Sequence, residues 1–184
     1  DQNRNIYDTI QSIPIEALLE KPTILELNAI ADDEQKSLLM ALLLISICLH
    51  TTHKGSSSGK ISNVLMIDEA HDLFREKKSL EILEVLLRKI RSYGVSVFLL
   101  SQGIAEYNTA NFDFSQECET SFLLPINDMA NTKAINKFLG LTVRDGNTAI
   151  RNLEKIRNGQ AISNMKEYPK TEVFDVVQYW KEIQ

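Results

Sequence analysis

Two adjacent carboxylates, Asp68 and Glu69, close a short apolar run, Asn63-Val64-Leu65-Met66-Ile67. The run has the composition of a buried strand, and the C-terminal end of such a strand is where open α/β sheets place their ligand crevice. Two acids there suit nucleotide hydrolysis. Asp68 can hold a Mg²⁺ ion through the ion's water shell, and Glu69 can polarise the attacking water. The plainer alternative is a solvated strand end that carries acids. The strand-like residues before the pair and Ala70-His71 after it favour the nucleotide reading.

A second run, Val95-Ser96-Val97-Phe98-Leu99-Leu100, ends in Ser101-Gln102-Gly103. Between the two runs, Leu80 to Tyr93 reads as a helix. Leu80, Leu83, Leu87 and Ile90 recur at helical spacing, Ile82 and Leu86 widen the face, and Gly94 is a good stop. A strand–helix–strand unit favours parallel strands joined by a right-handed crossover. Parallel neighbours bring their C-terminal ends together, so Gln102 is expected beside Asp68 and Glu69. A neutral amide there can contact a γ-phosphate or orient a water without opposing the acids. Taken alone, Gln102 reads as a turn residue.

Together, VLMIDEAH, a helix ending in RKIRSYG, and VSVFLLSQG resemble the C-terminal half of a HerA/FtsK-type ATPase. That group includes DNA translocases, bipolar helicases and conjugation-type coupling ATPases. The resemblance spans roughly residues 22–165. Upstream it takes in Pro22 to Asn28 as a strand and the helix opened by Asp32-Asp33-Glu34-Gln35-Lys36. Downstream it takes in Arg151 to Ala161 as the passage into a late strand. Superfamily-two DEAH helicases share Asp68-Glu69-Ala70-His71, but their next strand normally ends in a Ser-Ala-Thr type motif. Here it ends in Ser-Gln-Gly.

The resemblance implies a three-layer, RecA-like α/β fold, with a mostly parallel sheet flanked by helices and the phosphate-loop strand lacking within this chain. It implies ATP and Mg²⁺ as cofactors, a homo-hexameric ring and duplex DNA through its pore. The function implied is ATP-driven DNA translocation or unwinding, in DNA processing or anti-phage restriction. Catalytic roles fall to Glu69, Gln102 and Arg91; Asp68, Glu69 and Gln102 bind the nucleotide, and Asp68 holds Mg²⁺ through water. Arg91 sits where the family's trans-acting arginine finger could lie, with Arg88 one turn earlier. Either can equally be a surface cation favoured by a helix C-terminus. Arg75, Lys77 and Lys78 are candidate pore-facing charges, or a solvated helix start.

One departure is large. No Gly-x-x-x-x-Gly-Lys-Ser/Thr occurs in the sequence. The near miss, Gly55-Ser56-Ser57-Ser58-Gly59-Lys60-Ile61, is one residue short and has Ile61 in place of the Mg²⁺-binding hydroxyl. It also precedes a strand, whereas a phosphate loop follows one and opens a helix. It reads as a flexible Gly/Ser loop. The expectation is that the chain, which begins at Asp1, is the C-terminal part of a longer protein with its phosphate loop upstream. The alternative is a non-hydrolysing RecA-like interaction or assembly module that has lost phosphate binding.

A chain of 184 residues, 43% hydrophobic and 24% charged, has the composition of one domain or sub-domain. Residues 1–21 read as a helical lead-in, 22–165 as the HerA-like core and 166–184 as a C-terminal strand and tail. The net charge of −5 excludes a globally basic nucleic-acid binder, though not a local basic surface. Leu38 to Leu49 is interrupted by Ser46 and falls short of the roughly 20 residues that span a bilayer, so it reads as a buried core helix. No signal peptide is visible, no membrane partner is expected, and two cysteines make no disulfide framework. A cytoplasmic setting is expected.

Of the other chemistry-bearing residues, His50 and His53 with Cys48 have a spacing that can hold zinc. No second ligand pair is evident, and a plain helix end is the better reading. His71 could relay to DNA-facing loops or serve as a hydrogen-bonded structural residue. The remaining elements expected are helices at Ile6–Ser12, Ile15–Glu20, Asp33 to about His50, Ile104–Asn111, Asp128–Leu139 and Thr148–Ile156. Strands are expected at Thr23–Leu27, Thr120–Leu124, Gln160–Ser163 and Glu172–Val177.

Overall fold

The structure, a computed structural model, describes residues 13–74, 77–107, 113–125 and 132–176. The chain divides into two units, one from 13–67 with 77–99 and the other from 68–74 with 100–176. The expected helix at Ile6–Ser12 and the tail beyond Val176 lie outside the described residues.

The first unit holds helices α1 (Ile15–Leu19), α2 (Asp33–Lys54) and α3 (Lys77–Ile90) and strands β1 (Asn63–Ile67) and β2 (Val95–Leu99). The strands pair in parallel, Asn63 opposite Val95 through Ile67 opposite Leu99. Helix α3 buries Leu80, Leu83, Leu86 and Ile90, while Leu87 and Ile82 flank the stripe. Each such side chain, fully buried, contributes about 1.5–3 kcal/mol. Ile47, Ile90 and Val95 form a core with Ile15, Leu19, Cys48, Leu65 and Val97 packed on it.

Helix α2 starts where Asp32 caps it. Asp32 Oδ1 accepts from Glu34 N at 2.9 Å and from Gln35 N at 3.4 Å, a cap worth about 1 kcal/mol. The helix is longer than its apolar stretch and is not a buried core helix. By length and composition it is long and apolar enough to cross a membrane. One stripe is buried, Ser37, Ala41, Leu44, Ile47 and Thr51, and Leu38, Leu42 and Leu49 are exposed. Hydroxyls are tolerated along it because Ser46 Oγ donates to Leu42 O at 2.8 Å and Thr51 Oγ1 to Ile47 O at 2.9 Å.

Thr23–Leu27 is not a strand. It forms no ladder with any described strand, and Ile24 is 88% exposed. Its apolar composition suits a strand, but a strand exists only where a neighbour takes up its backbone groups. The Gly/Ser segment after α2 does precede β1, and it is tied down rather than loose. Ser57 N donates to Ser92 O, Ser56 Oγ to the same carbonyl, and Ser62 N to Gly94 O at 2.8 Å.

The second unit holds two 3₁₀ turns, Ala70–Phe74 and Ile104–Tyr107, helices α4 (Phe114–Glu117), α5 (Thr132–Leu139) and α6 (Val143–Leu153), and strands β3 (Phe122–Leu123), β4 (Gln160–Ser163) and β5 (Phe174–Asp175). Ile104, Leu123, Ile135, Leu139, Leu153 and Ile162 lead its core. Helix α6 begins five residues before the expected Thr148 because Thr142 caps it. Thr142 Oγ1 accepts from Asp145 N at 3.3 Å and donates to Asp145 Oδ2 at 2.7 Å. Strands β3, β4 and β5 pair antiparallel. In place of one mostly parallel sheet, the described residues form a parallel pair and a separate antiparallel sheet of three, a mixed α/β arrangement compatible with a P-loop-type fold.

Candidate active site

The parallel register ends at Ile67 and Leu99, and the chain continues from both into the second unit. There Ala70 N donates to Leu100 O at 2.8 Å, which ties the segment after the acids to the segment that carries Gln102. The 3₁₀ turn from Ala70 is firmly seated, with Ala70 and Leu73 fully buried and Asp72 only 6% exposed. Asp72 N closes the turn onto Glu69 O at 3.0 Å.

Glu69 adopts φ +50°, in the left-handed region that a non-glycine residue enters at a cost of roughly 1–2 kcal/mol. This backbone bend separates it from the strand geometry of Ile67. The two consecutive acids differ in exposure, Asp68 exposed and Glu69 half-buried. Asp68 Oδ1 accepts from Glu69 N at 3.0 Å.

The structure brings Gln102 onto Glu69. Gln102 Nε2 donates to Glu69 Oε1. The other carboxylate oxygen, Oε2, is shielded from solvent and lies 3.2 Å from His71 Nδ1. His71 Nε2 in turn lies 3.6 Å from Asp72 Oδ1. Ser101 Oγ is also shielded and has no hydrogen-bond partner among the described residues.

A Mg²⁺ ion in a nucleotide site usually takes one or two carboxylates and fills the rest of its shell with waters and phosphate oxygens. The donor set fits that pattern. Asp68 offers an exposed carboxylate whose Oδ1 accepts from Glu69 N.

The sequence matches the AAA-like domain family over residues 17–176. The chain belongs to the AAA-like domain family. This is a P-loop NTPase family that includes FtsK/HerA-type members and generally binds ATP with Mg²⁺, and membership suggests an ATPase-type function at that coarse level. A comparison with curated proteins finds no match.

The remaining expected site residues fall in the first unit. Arg88 is drawn into an intrahelical ion pair with Glu84 at 3.0 Å. Arg91 is exposed at the start of the 3₁₀ turn Arg91–Tyr93, which Gly94 terminates at φ +80°. Arg75 lies outside the described residues, as do the side chains of Lys77 and Lys78. His50 is held by Glu16, Nδ1 to Oε1 at 3.0 Å. Burial pushes the Cys48 and Cys118 thiols above their ordinary value.

The sequence reading missed Asp72 and the turn that seats it. A third acid four residues past Asp68 was a faint signal. Its burial depends on packing that no local pattern encodes.

Proposed function

We propose that the chain supplies the water-activating half of an ATP-hydrolysing DNA translocase or helicase of the HerA/FtsK type. The observation that carries this reading is the Glu69–Gln102 hydrogen bond at the ends of two parallel-paired segments, in a chain of the AAA-like domain family. Asp68 would hold Mg²⁺, which when bound with ATP neutralises charge on the β- and γ-phosphates. Glu69 accepts a hydrogen bond from the attacking water and aligns it. It can do so while Gln102 engages Oε1, because each carboxylate oxygen has two acceptor sites. Gln102 fixes the carboxylate and presents a neutral amide beside the γ-phosphate. Arg91 reaches a neighbouring subunit's nucleotide in a homo-hexamer, duplex DNA passes through the ring, and basic residues after the acids (Arg75, Lys77 and Lys78) face it. DNA processing or anti-phage restriction in the cytoplasm is the biological setting that suits such an activity.

The test uses the intact protein. Glu69→Gln keeps nucleotide binding and lowers turnover by about 10²–10⁴-fold, the range for removing a positioned base. Arg91→Ala lowers turnover by about 10³-fold or more, and mixing it with Glu69→Gln subunits restores part of the activity, since some interfaces then pair an intact Glu69 with an intact Arg91. Unchanged turnover in Glu69→Gln removes Glu69 from the role. Mixed rings that assemble yet stay as inactive as either parent remove Arg91.

A second reading has its own observation, the missing Gly-x-x-x-x-Gly-Lys-Ser/Thr. On it, the 184-residue chain is an assembly module. Both readings expect weak Mg-ATP binding by this chain alone, because the phosphates lack a main-chain cradle and lysine. Calorimetry giving micromolar binding would count against both and point to a phosphate site of another kind.

A further inference from the structure

Glu69 is a long side chain that loses about 1.5–2 kcal/mol of rotamer freedom when ordered. One bond from Gln102 fixes Oε1 but leaves the carboxylate free to pivot about it. The second oxygen is where the pivot is stopped. Oε2 is shielded from solvent and lies 3.2 Å from His71 Nδ1, an ion-pair contact rather than a hydrogen bond. The imidazole stands between two acids, because its far nitrogen is 3.6 Å from Asp72 Oδ1, an ion-pair distance longer than a hydrogen bond. Asp72 cannot follow the imidazole outward. It is buried, and its own N–H closes the turn on Glu69 O.

We propose that His71, backed by the buried carboxylate of Asp72, is a positioning residue that sets the plane of the Glu69 carboxylate toward its water. The inference rests on reading Glu69 as the water-activating group. His71 touches neither nucleotide nor water in this role. It acts through Glu69, with Nδ1 facing Oε2. The arrangement parallels the way outer carboxylates orient the imidazoles of metal sites, where loss of the outer partner typically lowers activity about 10–100-fold. Here the imidazole is the intermediate and the catalytic group is the acid.

The test has two parts. The 184-residue chain has three histidines, so the ring nitrogens of His71 can be assigned by ¹⁵N NMR against a His71→Asn variant. The expected result is a proton on Nδ1 whose resonance shifts in Glu69→Ala. An unprotonated Nδ1, or one indifferent to Glu69→Ala, overturns the contact.

In the intact ATPase, His71→Ala is expected to lower kcat about 10–100-fold and to leave KM for Mg-ATP within about twofold. His71→Asn places an amide nitrogen near the Nδ1 position and should recover to within about threefold of wild type. His71→Gln, whose amide falls nearer Nε2, should not recover. In a Glu69→Gln background, His71→Ala should add nothing, because the two act as one unit. An equal loss in that background, or better rescue by Gln than by Asn, refutes the proposal. Wild-type turnover in Glu69→Gln itself would instead remove the parent reading, while the NMR result would still report whether the contact exists.

Discussion

At position 69 the usual order of alanine and glycine should invert. Glycine is normally the less stable of the two because its unfolded chain has more freedom to lose, by about 0.4–1 kcal/mol. Glu69, however, sits at φ +50°, where a β-carbon crowds the following carbonyl at about 1–2 kcal/mol. Glu69→Ala and Glu69→Gly both delete the same contacts, the Gln102 bond and the His71 pair, so those losses cancel in the comparison. The strain relief exceeds the entropy term, and Glu69→Gly should be the more stable by about 0.5–1 kcal/mol. For a domain of this length that is about 2–4 °C in Tm per kcal/mol. The assay is urea unfolding of both variants, read as a midpoint difference at unchanged slope. Both variants should lack turnover, so the stability order is independent of activity. If Glu69→Ala proves the more stable, the turn at Glu69 is not left-handed in solution, and the difference in burial between the two acids needs another cause.

Gly94→Ala should destabilise the chain by about 2–4 kcal/mol, because φ is +80° and a β-carbon would lie 2.5 Å from Lys60 O and 2.6 Å from Ser57 Cβ. Urea unfolding checks it, and a loss under about 0.5 kcal/mol would show that the Gly/Ser segment does not press on this turn. Asp113 presents a pH-dependent case. Lys137 Nζ at 2.8 Å and Ser115 hold its carboxyl below the usual carboxylate range. A depressed folded pKa adds stability above the unfolded carboxylate value and loses it as pH falls through the folded one. Asp113→Asn should therefore lose about 0.5–1 kcal/mol near pH 7 and about nothing near pH 2, in parallel unfolding series at low salt. A loss that persists at the acidic end would assign the effect to the cap on α4 instead.

The parallel pair and the acid pair were legible locally. An apolar run of five, a helix with apolar residues at three- and four-residue spacing and a second apolar run leave little choice of connection, so the ends that carry Glu69 and Gln102 meet. The caps at Asp32 and Thr142 are also local, although the second went unread because the apolar period there starts late. The tertiary structure alone decided the rest. Thr23–Leu27 has a strand's residues, but pairing is a property of two segments. Likewise, β4 carries no mark of direction, and only its neighbours made the second sheet antiparallel. The left-handed Glu69 and buried Asp72 belong to the same class. A non-glycine residue holds a positive φ only when its surroundings enforce it, and an acid is buried only where packing closes over it. Sequence therefore named the acids, and the packing of the turn that follows them decided where Glu69 points.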